Sequence, residues 1–153
     1  MTSLNIGNTA PDFAALNQRG ESISLRQFRG KKVILYFYPK DDTPGCTKEA
    51  CSFRDGYTEL KNAGYEVLGV SIDSVKKHQK FEEKYNLPFM LLSDEDKQIV
   101  EAYNVWGKKK FMGREYMGTH RVTFVINEKG KITRIIDKVD VSNAARQILN
   151  EIL

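Results

Sequence analysis

Val33 to Asp55 reads V-I-L-Y-F-Y-P-K-D-D-T-P-G-C-T-K-E-A-C-S-F-R-D. Its first six residues, Val33 to Tyr38, are apolar or aromatic without alternation, which predicts a strand covered on both faces. Pro39 ends that strand. Thr43 suits the N-cap of a helix, and Pro44 suits the first helical position, where a missing N–H costs nothing. Ala50, Phe53, Tyr57 and Leu60 then recur at spacings of three and four and so share one helical face. Gly64 is a natural C-terminal stop. Tyr65 to Ile72 is a second strongly apolar strand. Strand, helix and strand in this order make a βαβ unit with parallel strands and a right-handed crossover.

Upstream, Phe13 to Leu16 and Ser22 to Leu25 flank the turn-like Asn17-Gln18-Arg19-Gly20, which predicts a short hairpin. Downstream, Ser74 caps a helix with Val75, His78, Phe81 or Glu82, and Tyr85 along one side, and Pro88 forces its end. Phe89 to Leu92 reads as a short strand. Asp94 to Tyr103 reads as a short helix with acidic residues in its first turn, as the helix dipole prefers. Asn104 to His120 has no clear periodicity and is expected to be a long ordered loop. Val122 to Ile126 and Lys131 to Ile136 flank Asn127-Glu128-Lys129-Gly130, a hairpin signal. A final helix, capped by Ser142, carries Ala145, Ile148, Leu149 and Ile152 at amphipathic spacing. The order βαβα, then ββα, predicts an α/β protein with a thioredoxin-like fold. Its central mixed sheet is flanked by helices, and residues 1–30 add an N-terminal β-hairpin extension. A length of 153 residues fits one domain, residues 1–153.

Hydrophobic residues make up 41% of the chain and charged residues 29%, an ordinary globular balance. No apolar run approaches the ~18 residues of a membrane span, so no membrane partner is expected. The first residues carry no basic region followed by an apolar segment, which points to the cytoplasm. The net charge of +4 is spread along the chain apart from Lys108, Lys109 and Lys110. These three read as a solvated loop, because no nucleic-acid-binding motif or stacking array accompanies them. His78 and His120 show no metal-ligand spacing, and His78 reads as a helix-face residue. Pro44-Gly45 alone is too little for a phosphate loop. No metal or cofactor is expected.

Cys46 and Cys51 are the two cysteines of the chain. A lone cysteine is often a small buried hydrophobe. Cys46 stands apart because it falls in the first turn of the predicted helix, where backbone N–H groups are unpaired and the dipole is positive. Both effects favour thiolate, the nucleophilic form. Residues five apart on a continuous helix have Cα atoms roughly 8–9 Å apart, whereas a disulfide needs them within about 7 Å. Either the two cysteines never pair, or pairing is tied to unwinding of the first turns. A thioredoxin-type disulfide exchanger is disfavoured, since it needs C-x-x-C and the residue three before Cys46 is Thr43.

These residues resemble the active-site pattern of the peroxiredoxins: a Pro, three residues, a Thr or Ser, two residues, then the reactive Cys. Here it is Pro39, Thr43 and Cys46. The chain is most similar to the Q-type subgroup, also called bacterioferritin comigratory proteins. A-P-D-F, L-L-S-D-E, V-W-G-K-K-K-F-M-G and H-R-V-T-F-V-I extend the likeness over nearly the whole chain. The resemblance implies a thiol-dependent peroxidase acting on hydrogen peroxide and organic hydroperoxides. Cys46 would become a sulfenic acid, Cys51 would resolve it as an intramolecular disulfide, and thioredoxin or a similar dithiol would reduce that disulfide. It also implies that Thr43 orients the peroxide, that Arg121 supports the thiolate and developing oxygen charge, that Pro39 shields the site and that Glu49 organises Arg121. With no third cysteine, resolution within one chain is expected, compatible with a monomer.

Overall fold

The computed structural model describes residues 2–152. The first half runs β1 (Ala14–Leu16), β2 (Ser22–Ser24), a 3-10 turn at Leu25–Phe28, β3 (Lys32–Phe37), α1 (Pro44–Asp55), α2 (Tyr57–Asn62) and β4 (Tyr65–Ser71). The second runs α3 (Val75–Tyr85), β5 (Met90–Ser93), α4 (Gln98–Ala102), β6 (Trp106–Phe111), β7 (Arg114–Thr119), β8 (Val122–Ile126), β9 (Ile132–Ile136) and α5 (Ala144–Ile152). Seven strands form one mixed sheet in the order β2-β1-β5-β4-β3-β8-β9. The fold is thioredoxin-like, with the βαβ unit β3-α1-α2-β4 at its centre.

Strand β3 explains its own composition. It lies between β4, to which it is parallel, and β8, to which it is antiparallel. Successive side chains of a strand point to opposite faces, and both faces are covered here. Ile34 and Tyr36 join Ala50, Phe53, Phe81, Ile148 and Leu149 in the core beneath α1, α3 and α5. Val33, Leu35 and Phe37 join Ile99, Val100 and Tyr103 on the other face. A run without polar alternation is what such a position requires. The N-terminal hairpin β1–β2 extends the same sheet through one antiparallel pairing, Leu16 with Ser93 of β5.

Four expectations need correction. The helix expected to run to Gly64 is two segments, α1 and α2, joined at Gly56. A Cβ on Gly56 would stand 2.5 Å from the Cβ of Ala145, so α5 rests against the bare glycine. The helix expected over Asp94 to Tyr103 starts only at Gln98, because Lys97 takes a left-handed conformation with φ 63°. Asp94 instead caps it from a distance, its carboxylate accepting from the amides of Ile99 and Val100. The segment 104–120 is mostly the hairpin β6–β7, not a loop. Its turn residues Met112 and Gly113 have φ of 52° and 80°, the paired positive values of the two-residue hairpin turn matching strand twist. Finally, α5 begins at Ala144, later than a Ser142 cap would start it, and the Asn143 carbonyl accepts its first helical bond from the Gln147 amide.

Candidate active site

The sheet brings the site together. β3 delivers the chain to α1 through residues 38–43. β8 pairs with β3 so that Val122 lies opposite Phe37, and Arg121 therefore emerges beside the same loop. Cys46 is the third residue of α1 and only 2% exposed. Arg121 Nη2 donates to the Cys46 sulfur at 3.3 Å, and Nη1 donates to Glu49 Oε1 at 2.6 Å. Glu49 lies three residues beyond Cys46, on the same helical face, and its side chain is fully buried. Gly45 gives the guanidinium room, since Nη2 lies 3.2 Å from where a Cβ there would stand.

The electrostatics follow from this burial. Desolvation pushes the Glu49 carboxyl up to about 7 despite the pull of the Arg121 guanidinium. Burial works against the charge on Arg121, but Glu49 and Cys46 outweigh it and the guanidinium is held above its ordinary value. Glu49 Oε2 and the Tyr36 hydroxyl are both buried without a hydrogen-bond partner. Desolvation, reinforced by the Glu49 charge, keeps that phenol well above its usual range.

Thr43 occupies the N-cap position, but its hydroxyl donates to the Lys40 carbonyl at 2.8 Å and caps no amide of the helix. The expected side-chain cap is absent, and the first-turn amides around Cys46 take no bond from it. Pro39 is half-buried in the turn leaving β3. Cys51 lies on the same unbroken helix as Cys46, half-buried, and both are free thiols. Thus Cys46, Glu49 and Arg121 are in direct contact, while Cys51 stands apart as the helical spacing demands.

Two features were not visible in the sequence. Lys109 is half-buried between exposed Lys108 and Lys110, and its ammonium donates to the Thr119 carbonyl at 3.1 Å. Burial and the nearby Arg121 charge lower its proton affinity, while Cys46 acts in the opposite direction. Strand alternation could have singled out the middle lysine, had a strand been recognised there. His78, read as a helix-face residue, lies with Phe81 on the buried face of α3, where it is fully buried and contacts Asp41. Among the described residues no group of three His, Cys, Asp or Glu is arranged to hold a metal ion, and no helix is long and apolar enough to cross a membrane.

A buried cysteine at a helix start, an arginine on its sulfur and a thioredoxin-like sheet define a class of thiol enzyme, and comparison with known proteins agrees. The AhpC/TSA family pattern matches residues 6–135, and the chain belongs to that family of peroxiredoxins. Within it, the chain is similar to the Q or Bcp subgroup. Peroxiredoxin Bcp of Escherichia coli K12 is 48% identical over 150 residues, covering 98% of this chain and 96% of that one. A Xylella fastidiosa PrxQ cysteine mutant superposes with a TM-score of 0.92 at 31% identity, covering 99% and 97% of the two chains. A Xanthomonas campestris bacterioferritin comigratory protein, described for its alkyl peroxide reduction activity, superposes with a TM-score of 0.87 at 34% identity, covering 99% and 96%. The protein is a thiol-dependent peroxidase that takes a peroxide and a thiol reductant.

Proposed function

We propose that Cys46 is the peroxide-reactive thiol of this peroxidase and Cys51 its resolving partner, acting on hydrogen peroxide and organic hydroperoxides. The observation that carries this is the contact from Arg121 to the Cys46 sulfur, with Glu49 holding the other arm of the guanidinium. A fixed cation lies beside the sulfur, and the Thr43 side chain leaves the first-turn amides around it uncapped. The thiolate attacks the terminal peroxide oxygen. The O–O bond breaks, the second oxygen leaves with its electron pair and takes a proton as water or alcohol, and Cys46 becomes a sulfenic acid, oxidised by two electrons. Arg121 faces the charge that develops on the oxygens, where a preorganised donor is worth most. Thr43 orients the peroxide, its oxygen still able to accept while its hydrogen is spent on Lys40. Pro39 screens the thiolate from water.

Cys51 then attacks the Cys46 sulfur, water departs, and a disulfide forms. The intact α1 keeps the two sulfurs from meeting, so its first turns unwind for this step. A dithiol protein such as thioredoxin supplies the two electrons that restore both thiols. With two cysteines in the chain, the cycle closes within a single copy, in keeping with a monomer.

The test is peroxide consumption by reduced protein coupled to a thioredoxin system. Cys46→Ser abolishes turnover. Cys51→Ser still oxidises once and then accumulates sulfenic acid, trapped by dimedone and read by mass. Full activity in Cys46→Ser sinks the assignment of Cys46, and undiminished steady turnover in Cys51→Ser sinks that of Cys51.

A further inference from the structure

We propose that Asp41 and His78 form a positioning pair that holds residues 38–43, and with them the start of α1, in the shape that meets peroxide. This rests on Cys46 being the peroxide-reactive thiol. The stretch between β3 and α1 carries Pro39 and Thr43, so its path decides where Cys46 stands. Asp41 is buried while Lys40 and Asp42 on either side are exposed. Its carboxylate accepts from the Tyr38 hydroxyl at 2.5 Å and meets His78 Nδ1 at 2.6 Å. Its own amide donates to Asp73 Oδ2 at 2.9 Å, an oxygen that also accepts from the Ser71 hydroxyl at 2.7 Å.

Hydrogen-bond counting fixes one proton. His78 Nε2 lies 3.0 Å from the Leu92 carbonyl. A carbonyl only accepts, so Nε2 carries a hydrogen. The 2.6 Å contact between Nδ1 and Asp41 then needs a second hydrogen, on the imidazole or on the carboxyl. In either arrangement a proton is shared between α3 and the loop, out of water. Breaking such a contact from one side leaves a buried polar group unpaired, which is costly.

A second tie lies alongside. Asp42 takes a left-handed conformation, φ 57°, that turns the chain toward α1. Its carboxylate accepts from Lys84 Nζ and the Tyr85 hydroxyl, both at 2.8 Å. Helix α3 therefore grips two consecutive residues just upstream of the helix that must unwind. From Thr43 onward no side-chain cap holds the first turn. The grip of α3 ends at Asp42; beyond it the first turn is tied by the Thr43 bond to the Lys40 carbonyl and by Arg121 on Cys46 and Glu49. A role in bulk stability is a poorer account, because apolar residues of similar volume commonly replace a buried ion pair without loss. A satisfied polar network instead selects one loop position.

The two steps of the cycle separate this role from a folding role. Quenched-flow mass spectrometry reads the rate of Cys46 oxidation by hydrogen peroxide, and separately the rate at which the sulfenic acid becomes disulfide. His78→Gln keeps a donor for Leu92 but loses Asp41. It slows oxidation by about tenfold or more, as small misplacements at a reacting centre do, while disulfide formation keeps or exceeds its original rate. His78→Asn, whose amide reaches toward Asp41, recovers most of the lost oxidation rate. Oxidation at the original rate in His78→Gln, equal slowing of both steps, or no recovery in His78→Asn overturns the proposal. Should circular dichroism find His78→Gln unfolded, Tyr38→Phe is read instead: slowing of oxidation alone supports the pair, and an unchanged rate overturns it. Failure of the original protein to oxidise at Cys46 would overturn the underlying assignment, not this pairing.

Discussion

The entrance to α1 and the β6–β7 hairpin treat charge and apolar surface in opposite ways. At the entrance, Asp41, Glu49 and His78 are buried and each is bonded to a named partner. On the hairpin, Phe111, Met112, Tyr116 and Met117 are 67%, 87%, 48% and 50% exposed. These buried polar groups hold their geometry because breaking such a contact from one side leaves its partner unpaired. The hairpin is held by its own ladder and turn, so these four side chains are free of such demands. Lys109 differs from them, being half-buried and near enough to Arg121 and Cys46 to feel their charge.

Removing the arginine should produce the largest contrast. Arg121→Met is expected to slow Cys46 oxidation by about a hundredfold or more, the scale of losing a preorganised donor at developing charge, measured by stopped-flow against hydrogen peroxide. A loss below threefold would leave the entrance no more specialised than the hairpin. Glu49 sharpens the comparison through pH. Its carboxyl is raised from 4.5 to about 7 in the fold, so between these values the folded state binds more protons than the unfolded one. Stability from this group is therefore full below about 4.5 and falls as pH rises through about 7. Glu49→Gln removes the titration, so urea midpoints at about pH 5 and about pH 8 should show the variant gaining on the parent at the higher pH, by up to a few kcal/mol. A constant difference across that range contradicts the burial argument.

The remaining effects are smaller. Lys109→Met should slow Cys46 oxidation severalfold, less than Arg121→Met, because a more distant charge acts through higher effective dielectric. Lys108→Met should leave it unchanged, and equal effects from the two would erase the distinction between them. Gly113→Ala forces a side chain into φ 80° and should cost about 1 kcal/mol, seen as loosened hydrogen exchange confined to β6 and β7 with the peroxide reaction intact.

Legibility divided along the same line. Val33 to Tyr38 and the strand after Gly64 were readable because burial on both faces leaves an unbroken apolar run, and the helix start at Thr43-Pro44 because cap and first-position preferences mark it. Cys46 stood out through its place at that start, whereas Arg121 and Glu49 were nameable only by resemblance, since no local pattern relates residues so far apart in sequence. The hairpin was hidden because its exposed faces demand no alternation, and Met112-Gly113 is a weak turn signal beside Asn127 to Gly130. The partner of His78 was hidden because Asp41 lies 37 residues away. The offset start of α4 turned on Asp94, whose carboxylate caps amides five and six residues on, outside any usual capping interval.

The strand order also has a consequence for synthesis. Cys46 and Arg121 are separated by 75 residues, and Arg121 is positioned only when β8 joins the far side of β3. At about 5–20 residues per second, a ribosome needs roughly 4–15 s to cover that interval. During it the nascent chain carries Cys46 without its guanidinium, so the contact between Arg121 and the Cys46 sulfur forms late, after most of the sheet has been made.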